Sequence, residues 1–123
     1  MTSLFDSVSL MHGRVMPNRF MLSPLTNQQS NVDGTLSEEE FTWLTMRAQG
    51  GFGLTMTCAS HVQRIGQGFP GQLGCFGDEH AVGLKRIADA IRATGNLSYV
   101  QLHHAGNRSP KELIGEAPVC PSE

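Results

Sequence analysis

Cysteine, tyrosine, tryptophan and charge of one sign are all scarce in this sequence, and each scarcity closes off a class of function. The three cysteines, Cys58, Cys75 and Cys120, are odd in number and far apart, with no Cys-x-x-Cys or Cys/His spacing. That argues against a disulfide framework and against the common zinc modules, and it fits reduced thiols in a cytoplasmic protein. Nine Lys and Arg against eleven Asp and Glu leave a formal charge of -2, so no basic surface calls for nucleic acid or an anionic membrane. No stretch approaches the ~20 apolar residues of a membrane helix, and no basic start precedes an apolar run. No phosphate-cradling Gly-Lys-Ser/Thr is present. Gly66-Gln67-Gly68 lacks the third glycine of a dinucleotide fingerprint and does not open a helix.

What is present is enough for one small domain. The 123 residues, 39% hydrophobic and 16% charged, can bury a core but are too few for two domains. The segment Asn18–Thr26 sets the organisation: an apolar run, Phe20–Ser23, stops at Pro24, and a polar loop follows to Asp33. Proline has no N–H and a fixed φ, so a strand ending there delivers rigid backbone to its own C-terminal end. That is where α/β sheets hold ligands. Taken alone, the segment fits an ordinary buried strand and turn equally well.

The rest of the chain repeats the pattern. Before this strand, His12-Gly13 marks a turn between two short strands, a small hairpin. After it, Asp33-Gly34 is a turn, and Ser37 with Glu40 three residues on forms a capping box. A helix is predicted from Glu38 to Gln49, with Phe41, Leu44 and Ala48 buried, Trp43 at the edge, and Gly50-Gly51 as the stop. A strand over Phe52–Ala59 alternates Leu54, Met56 and Cys58 with Thr55, Thr57 and Ala59. The loop from Ser60 to Gly77 holds Gly66, Gly68, Gly71, Gly74 and Gly77, which predicts a long and conformationally free segment. Asp78 is the expected N-cap of a second helix, Glu79 to about Thr94, with Leu84, Ile87, Ala88 and Ile91 on one face. Leu97–His103 is the third strand, Val100 and Leu102 facing one way, Leu97, Tyr99, Gln101 and His103 the other. Ala105–Glu123, with three prolines, is expected to be loop.

Strands alternating with helices imply a parallel sheet with right-handed crossovers. Three polar strand ends then share one edge: Ser23-Pro24-Leu25-Thr26, Thr57-Cys58-Ala59 and Gln101–Gly106. They supply hydroxyls, a side-chain amide and backbone groups beside a small residue, with no carboxylate among them. Such a set suits a planar heteroaromatic ligand with several hydrogen-bonding edges, and suits acid–base catalysis poorly.

These residues, in this order, resemble the old yellow enzyme family of flavin-dependent oxidoreductases. The resemblance rests on Asn18-Arg19-Phe20 leading to Ser23-Pro24-Leu25-Thr26, on Asp33-Gly34, and on Arg47-Ala48-Gln49-Gly50-Gly51-Phe52-Gly53-Leu54. It continues through Asp78-Glu79-His80, Gln101-Leu102-His103-His104-Ala105-Gly106 and Ala117-Pro118-Val119-Cys120-Pro121-Ser122. It implies a (β/α)8 barrel, here about three β/α units preceded by the hairpin, with FMN at the C-terminal strand ends. It also implies reduction of FMN by NAD(P)H and reoxidation by a small electron acceptor such as an activated alkene. Carried onto this chain, Ser23, Pro24, Leu25 and Thr26 line the flavin, Ala59 sits beside the ring, and Gln101 bonds its pyrimidine part. Many members have Arg directly after His-Ala-Gly; here Asn107 stands there, followed by Arg108. The family's substrate-binding pair, tyrosine proton donor and phosphate loops come later in the sequence, so His103 and His104 are read as structural, and Tyr99, inside a strand, is not that donor.

A full barrel takes about 250 residues. The expectation is therefore an incomplete FMN-binding domain over residues 1–123, the N-terminal part of such an oxidoreductase. The alternative is a non-catalytic remnant or binding piece that associates with another chain. Unpaired strand edges would in either case favour self-association.

Overall fold

The structure, a computed structural model, describes residues 1–122. Strands β1 (Val8–Ser9) and β2 (Val15–Met16) pair antiparallel. Between them His12 and Gly13 hold φ of 63° and 78°, the left-handed geometry that lets so short a connection reverse the chain. The expected hairpin is there.

Strand β3 (Met21–Leu22), helix α1 (Glu38–Gln49), strand β4 (Leu54–His61), helix α2 (Asp78–Ala93) and strand β5 (Leu97–His103) follow in order. The three strands form a parallel sheet in chain order, with Leu22 beside Thr55 and Leu54 beside Leu97. Strand β3 is shorter than the expected Phe20–Ser23. Leu22, Leu44 and Ala48 of the β3–α1 unit, Cys58 of β4, Leu73, and Ile87 and Ile91 of α2 make one buried cluster. Each fully buried aliphatic side chain there contributes about 1.5–3 kcal/mol. Two helices sharing one core lie on one face of the sheet, as in a barrel wall and not as in a doubly wound sheet.

Helix α1 begins as predicted, with the Ser37 hydroxyl accepting the Glu40 N–H at 3.1 Å. The reciprocal half of the capping box does not form, because the Glu40 carboxylate turns inward to other partners. The buried positions of α1 are consequently Glu40, Leu44, Thr45 and Ala48. Phe41 is only half-buried: the Arg86 guanidinium of α2 lies 3.8 Å from its ring centroid while pairing with Glu38. For α2 the expected Asp78 cap is also corrected. Gly77 is the capping residue, and Asp78 already belongs to the first turn. His80 Nδ1 accepts the Gly77 N–H at 3.1 Å, and its Nε2–H donates to the Asp33 carbonyl at 3.1 Å. A buried imidazole thus does the work expected of the aspartate, and ties the helix start to the loop before α1.

The predicted division of β4 into two faces fails midway. Met56 lies beside Tyr99, but Ala59 lies beside Gln101, so three steps on β4 match two on β5. The extra residue is a β-bulge, which shifts the alternation by one. Leu54 and Met56 therefore share the open face with Ala59, while Cys58 turns into the helix-side core with Thr55 and Leu22. The strand also runs two residues past Ala59.

The glycine-rich loop is pinned, not free. Residues Gly66, Gln67, Gln72, Leu73 and Gly74 are buried, and Gly74 forms a parallel bridge to His61. The Ser30 N–H reaches the Gly71 carbonyl at 3.1 Å, and the Gly74 N–H reaches Gly34 at 2.8 Å. The glycines permit approach: a Cβ on Gly66 would lie 2.5 Å from the His104 ring, and one on Gly71 2.4 Å from the Gln28 carbonyl. The final stretch is also not all loop. Helix α3 (Lys111–Ile114) follows Pro110, buries Ile114 and ends at Gly115 with φ 77°. Arg64 fastens it, donating to the Ile114 carbonyl and pairing with Glu116.

Candidate functional site

Because β3, β4 and β5 are parallel, their C-terminal ends share one edge. Ser23, Pro24, Leu25 and Thr26 follow the C-terminal end of β3, and Ala59 and Gln101 lie near the C-terminal ends of β4 and β5. Ala59 and Gln101 are register partners and point to the same face, with Tyr99 and Met56 further down it. Ser23, Leu25 and Thr26 are exposed; Pro24, Ala59 and Gln101 are half-buried. Inside the bulge the Thr57 hydroxyl accepts the Gln101 N–H at 3.2 Å. The Gln101 side-chain amide makes no hydrogen bond to protein among the described residues, nor do the Ser23 and Thr26 hydroxyls. An amide and two hydroxyls with free valence, around a side chain no larger than a methyl, can meet the carbonyls and nitrogens of a flat ring.

Two buried groups that sequence reasoning missed hold this edge in place. Gln72, fully buried, receives the Gly68 N–H on Oε1 at 2.7 Å and donates from Nε2 to the Ala59 carbonyl at 2.8 Å. The same Nε2 lies 3.1 Å from His103 Nδ1. Glu40, also fully buried, accepts from the Asn27 amide at 3.2 Å, from the Ser30 hydroxyl, and from the Cys58 thiol at 3.0 Å. It anchors the loop that continues from Thr26. Burial, and then the Glu40 charge, push the Cys58 thiol far above the usual range. His104 donates from Nε2 to Gln63 Oε1 and accepts the Gly106 N–H on Nδ1.

The opposite edge is different in kind. A hollow of about 390 Å3 there is lined by Phe5, Phe20, Phe52, Gly50, Gly51 and Asn18. Asn18 is spent on backbone: its amide donates to the Gly51 carbonyl, and its Oδ1 receives the Phe20 and Gly53 N–H groups. That edge is built for stability, in keeping with the N-terminal face of a barrel.

The sequence profile of the NADH:flavin oxidoreductase / NADH oxidase family matches residues 3–123. The chain belongs to this family. Among relatives, it is 36% identical over 116 residues to the probable NADH-dependent flavin oxidoreductase YqiG of Bacillus subtilis, covering 94% of this chain and 31% of that protein. It is 37% identical to an NADPH dehydrogenase of Bacillus pumilus, covering 94% and 33%. Among solved structures, the old yellow enzyme homologue from Zymomonas mobilis superimposes with a TM-score of 0.90 at 29% identity, over 98% of this chain and 33% of that one. A morphinone reductase structure gives 0.89 at 27%, over 99% and 33%. The chain thus spans about a third of the length of each of these proteins. Its hairpin and three β/α units are an α/β part of the old yellow enzyme barrel, as the resemblance implied.

Proposed function

We propose that this chain supplies one wall of an FMN site in an NAD(P)H-dependent oxidoreductase. The observation that carries the reading is that Ala59 and Gln101 lie in register near the C-terminal ends of two parallel strands, with Ser23–Thr26 following the end of the third. Their chemistry fits the ring: free hydroxyls and a free amide for its polar edges, and a methyl beside its plane. FMN bound there would pass a hydride from NAD(P)H to a small acceptor such as an activated alkene. The chain's own residues orient the ring. Gln101 selects the edge that needs both a donor and an acceptor, Pro24 holds the β3 end rigid, and Ala59 keeps the approach open.

The test is titration of the isotope-labelled protein with FMN, followed by backbone and side-chain amide signals. Binding is expected to be weak, since the resemblance puts the phosphate-binding loops later in the sequence. Shifts concentrated at 23–26, 59 and the Gln101 side chain are the expected result, and Gln101→Leu should reduce them. Shifts confined to the Phe5–Phe20–Phe52 edge, or none at millimolar FMN, would overturn the reading.

A second reading, association with another chain, is favoured by the exposure of Tyr99, Val100 and Leu102 on β5. It concerns assembly and does not compete for the same residues.

A further inference from the structure

We propose that Gln72 fixes the tautomer of His103, so that His103 presents Nε2–H as a hydrogen-bond donor on the open face of the sheet beside Gln101. The orientation of the Gln72 amide follows from two backbone groups that admit no choice. Gly68 N–H can only donate, so its partner at 2.7 Å is Oε1; the Ala59 carbonyl can only accept, so its partner at 2.8 Å is Nε2. The NH2 group has one hydrogen left, and the remaining neighbour of Nε2 is His103 Nδ1 at 3.1 Å. A nitrogen that faces an amide NH2 has to be the acceptor. In a neutral imidazole the proton then resides on Nε2.

The placement of that donor follows from the strand. His103 lies two residues after Gln101 and beside His61 in register, hence on the face that Gln101 and Ala59 share. It is half-buried, and Nε2 has no protein partner among the described residues. Gln72 itself is fully buried, with both NH2 hydrogens and one Oε1 lone pair engaged. So thoroughly satisfied a group in a glycine-rich loop holds its partners' geometry closely. The ligand chemistry is a carbonyl or anionic oxygen of the group bound at this edge. That part rests on the FMN reading above; the tautomer does not.

The experiment uses the protein labelled with 15N-histidine and records two-bond 15N–1H correlations of the imidazole rings at neutral pH. The expected result is a His103 ring with Nδ1 unprotonated and Nε2 protonated. Gln72→Glu replaces the amide donor by an acceptor at the same place, and it should move the proton to Nδ1. A His103 protonated on Nδ1 in the unsubstituted protein overturns the inference without any variant, and an unchanged tautomer in a folded Gln72→Glu overturns the role of Gln72. Titration with FMN, as probe, separates the second half. Joint shifts of the Gln101 amide and the His103 ring support the donor role. A Gln101 shift with an unmoved His103 refutes the donor role and leaves the FMN site standing. Movement of neither refutes both placements.

Discussion

Glu40 is a fully buried side chain with no cation beside it among the described residues, held by neutral donors from Asn27, Ser30 and Cys58 and by its place in the first turn of α1. Removing such a group leaves three donors with nothing to bond. Glu40→Ala is expected to cost about 2–4 kcal/mol in urea denaturation, and Glu40→Gln somewhat less, since one amide oxygen survives. The same pair makes a kinetic prediction. With its thiol held protonated by burial and by Glu40, Cys58 should resist alkylation at pH 8 while exposed Cys120 reacts; mass spectrometry of the folded protein reads this directly. Sequence reasoning found the Ser37 cap but gave Glu40 the wrong partner. The capping-box pattern is a local rule, whereas the acceptor Glu40 supplies is needed by residues 10 positions before it and 18 after it. His61 carries the pH dependence. Burial chiefly, with His80 and His103 nearby, holds its pKa below the ordinary 6.5, although the bond to the Leu73 carbonyl works the other way. The unfolded chain therefore takes up a proton before the folded one does. Stability from this group is complete above about pH 6.5 and is lost as pH falls toward the lower folded value. Melting temperatures measured from pH 7.5 to 5 should decline, and His61→Gln should flatten that decline.

At the scale of elements, both helices were legible because their stripes repeat at i, i+3 and i+4 and their ends carry Ser37, Gly50 and Gly95. The parallel sheet was legible from their alternation with strands. The bulge in β4 was not: Thr-Met-Thr-Cys-Ala-Ser alternates too weakly to reveal one inserted residue, and only pairing with β5 does so. The site survived that error because Ala59 and Gln101 both lie beyond the bulge, where the register is restored. The loop of residues 62–77 was misread for a different reason. Glycine signals freedom in the unfolded chain, but it equally permits close packing in the folded one. The two roles are separable by substitution. Gly95 has φ 82° with nothing near its missing Cβ, so Gly95→Ala bears only the left-handed penalty of about 1–2 kcal/mol. Gly71 has φ 66° and a backbone carbonyl 2.4 Å from the same position, so Gly71→Ala adds an overpacking term of about 1–3 kcal/mol. Chemical denaturation of the two variants should show Gly71→Ala as clearly the more damaging; equal losses would mean that the loop yields and is not pinned.

For the whole molecule, strand β5 is the longer of the two edge strands of the parallel sheet. It pairs with β4 on one side only among the described residues. Tyr99 on the open face is 42% exposed, and Leu102, on the face that the helices cover elsewhere, is 70% exposed. An open edge whose two faces are both apolar is the arrangement that templates pairing with another chain, because neither charge nor proline blunts it. The opposite edge strand, β3, is only two residues long and is followed two residues later by Pro24, so it offers little ladder to a second molecule. Association should therefore run through β5. Sedimentation velocity across a concentration series is expected to show reversible growth beyond the monomer. Leu102→Lys should suppress it while leaving the melting temperature within about 2–3 °C, since an exposed side chain contributes little to the core. A monomer at every concentration in the unsubstituted protein would show that the β5 edge is too short or too twisted to recruit a partner. Association that persists in Leu102→Lys would place the contact on another surface, for which the Phe5–Phe20–Phe52 edge is a candidate.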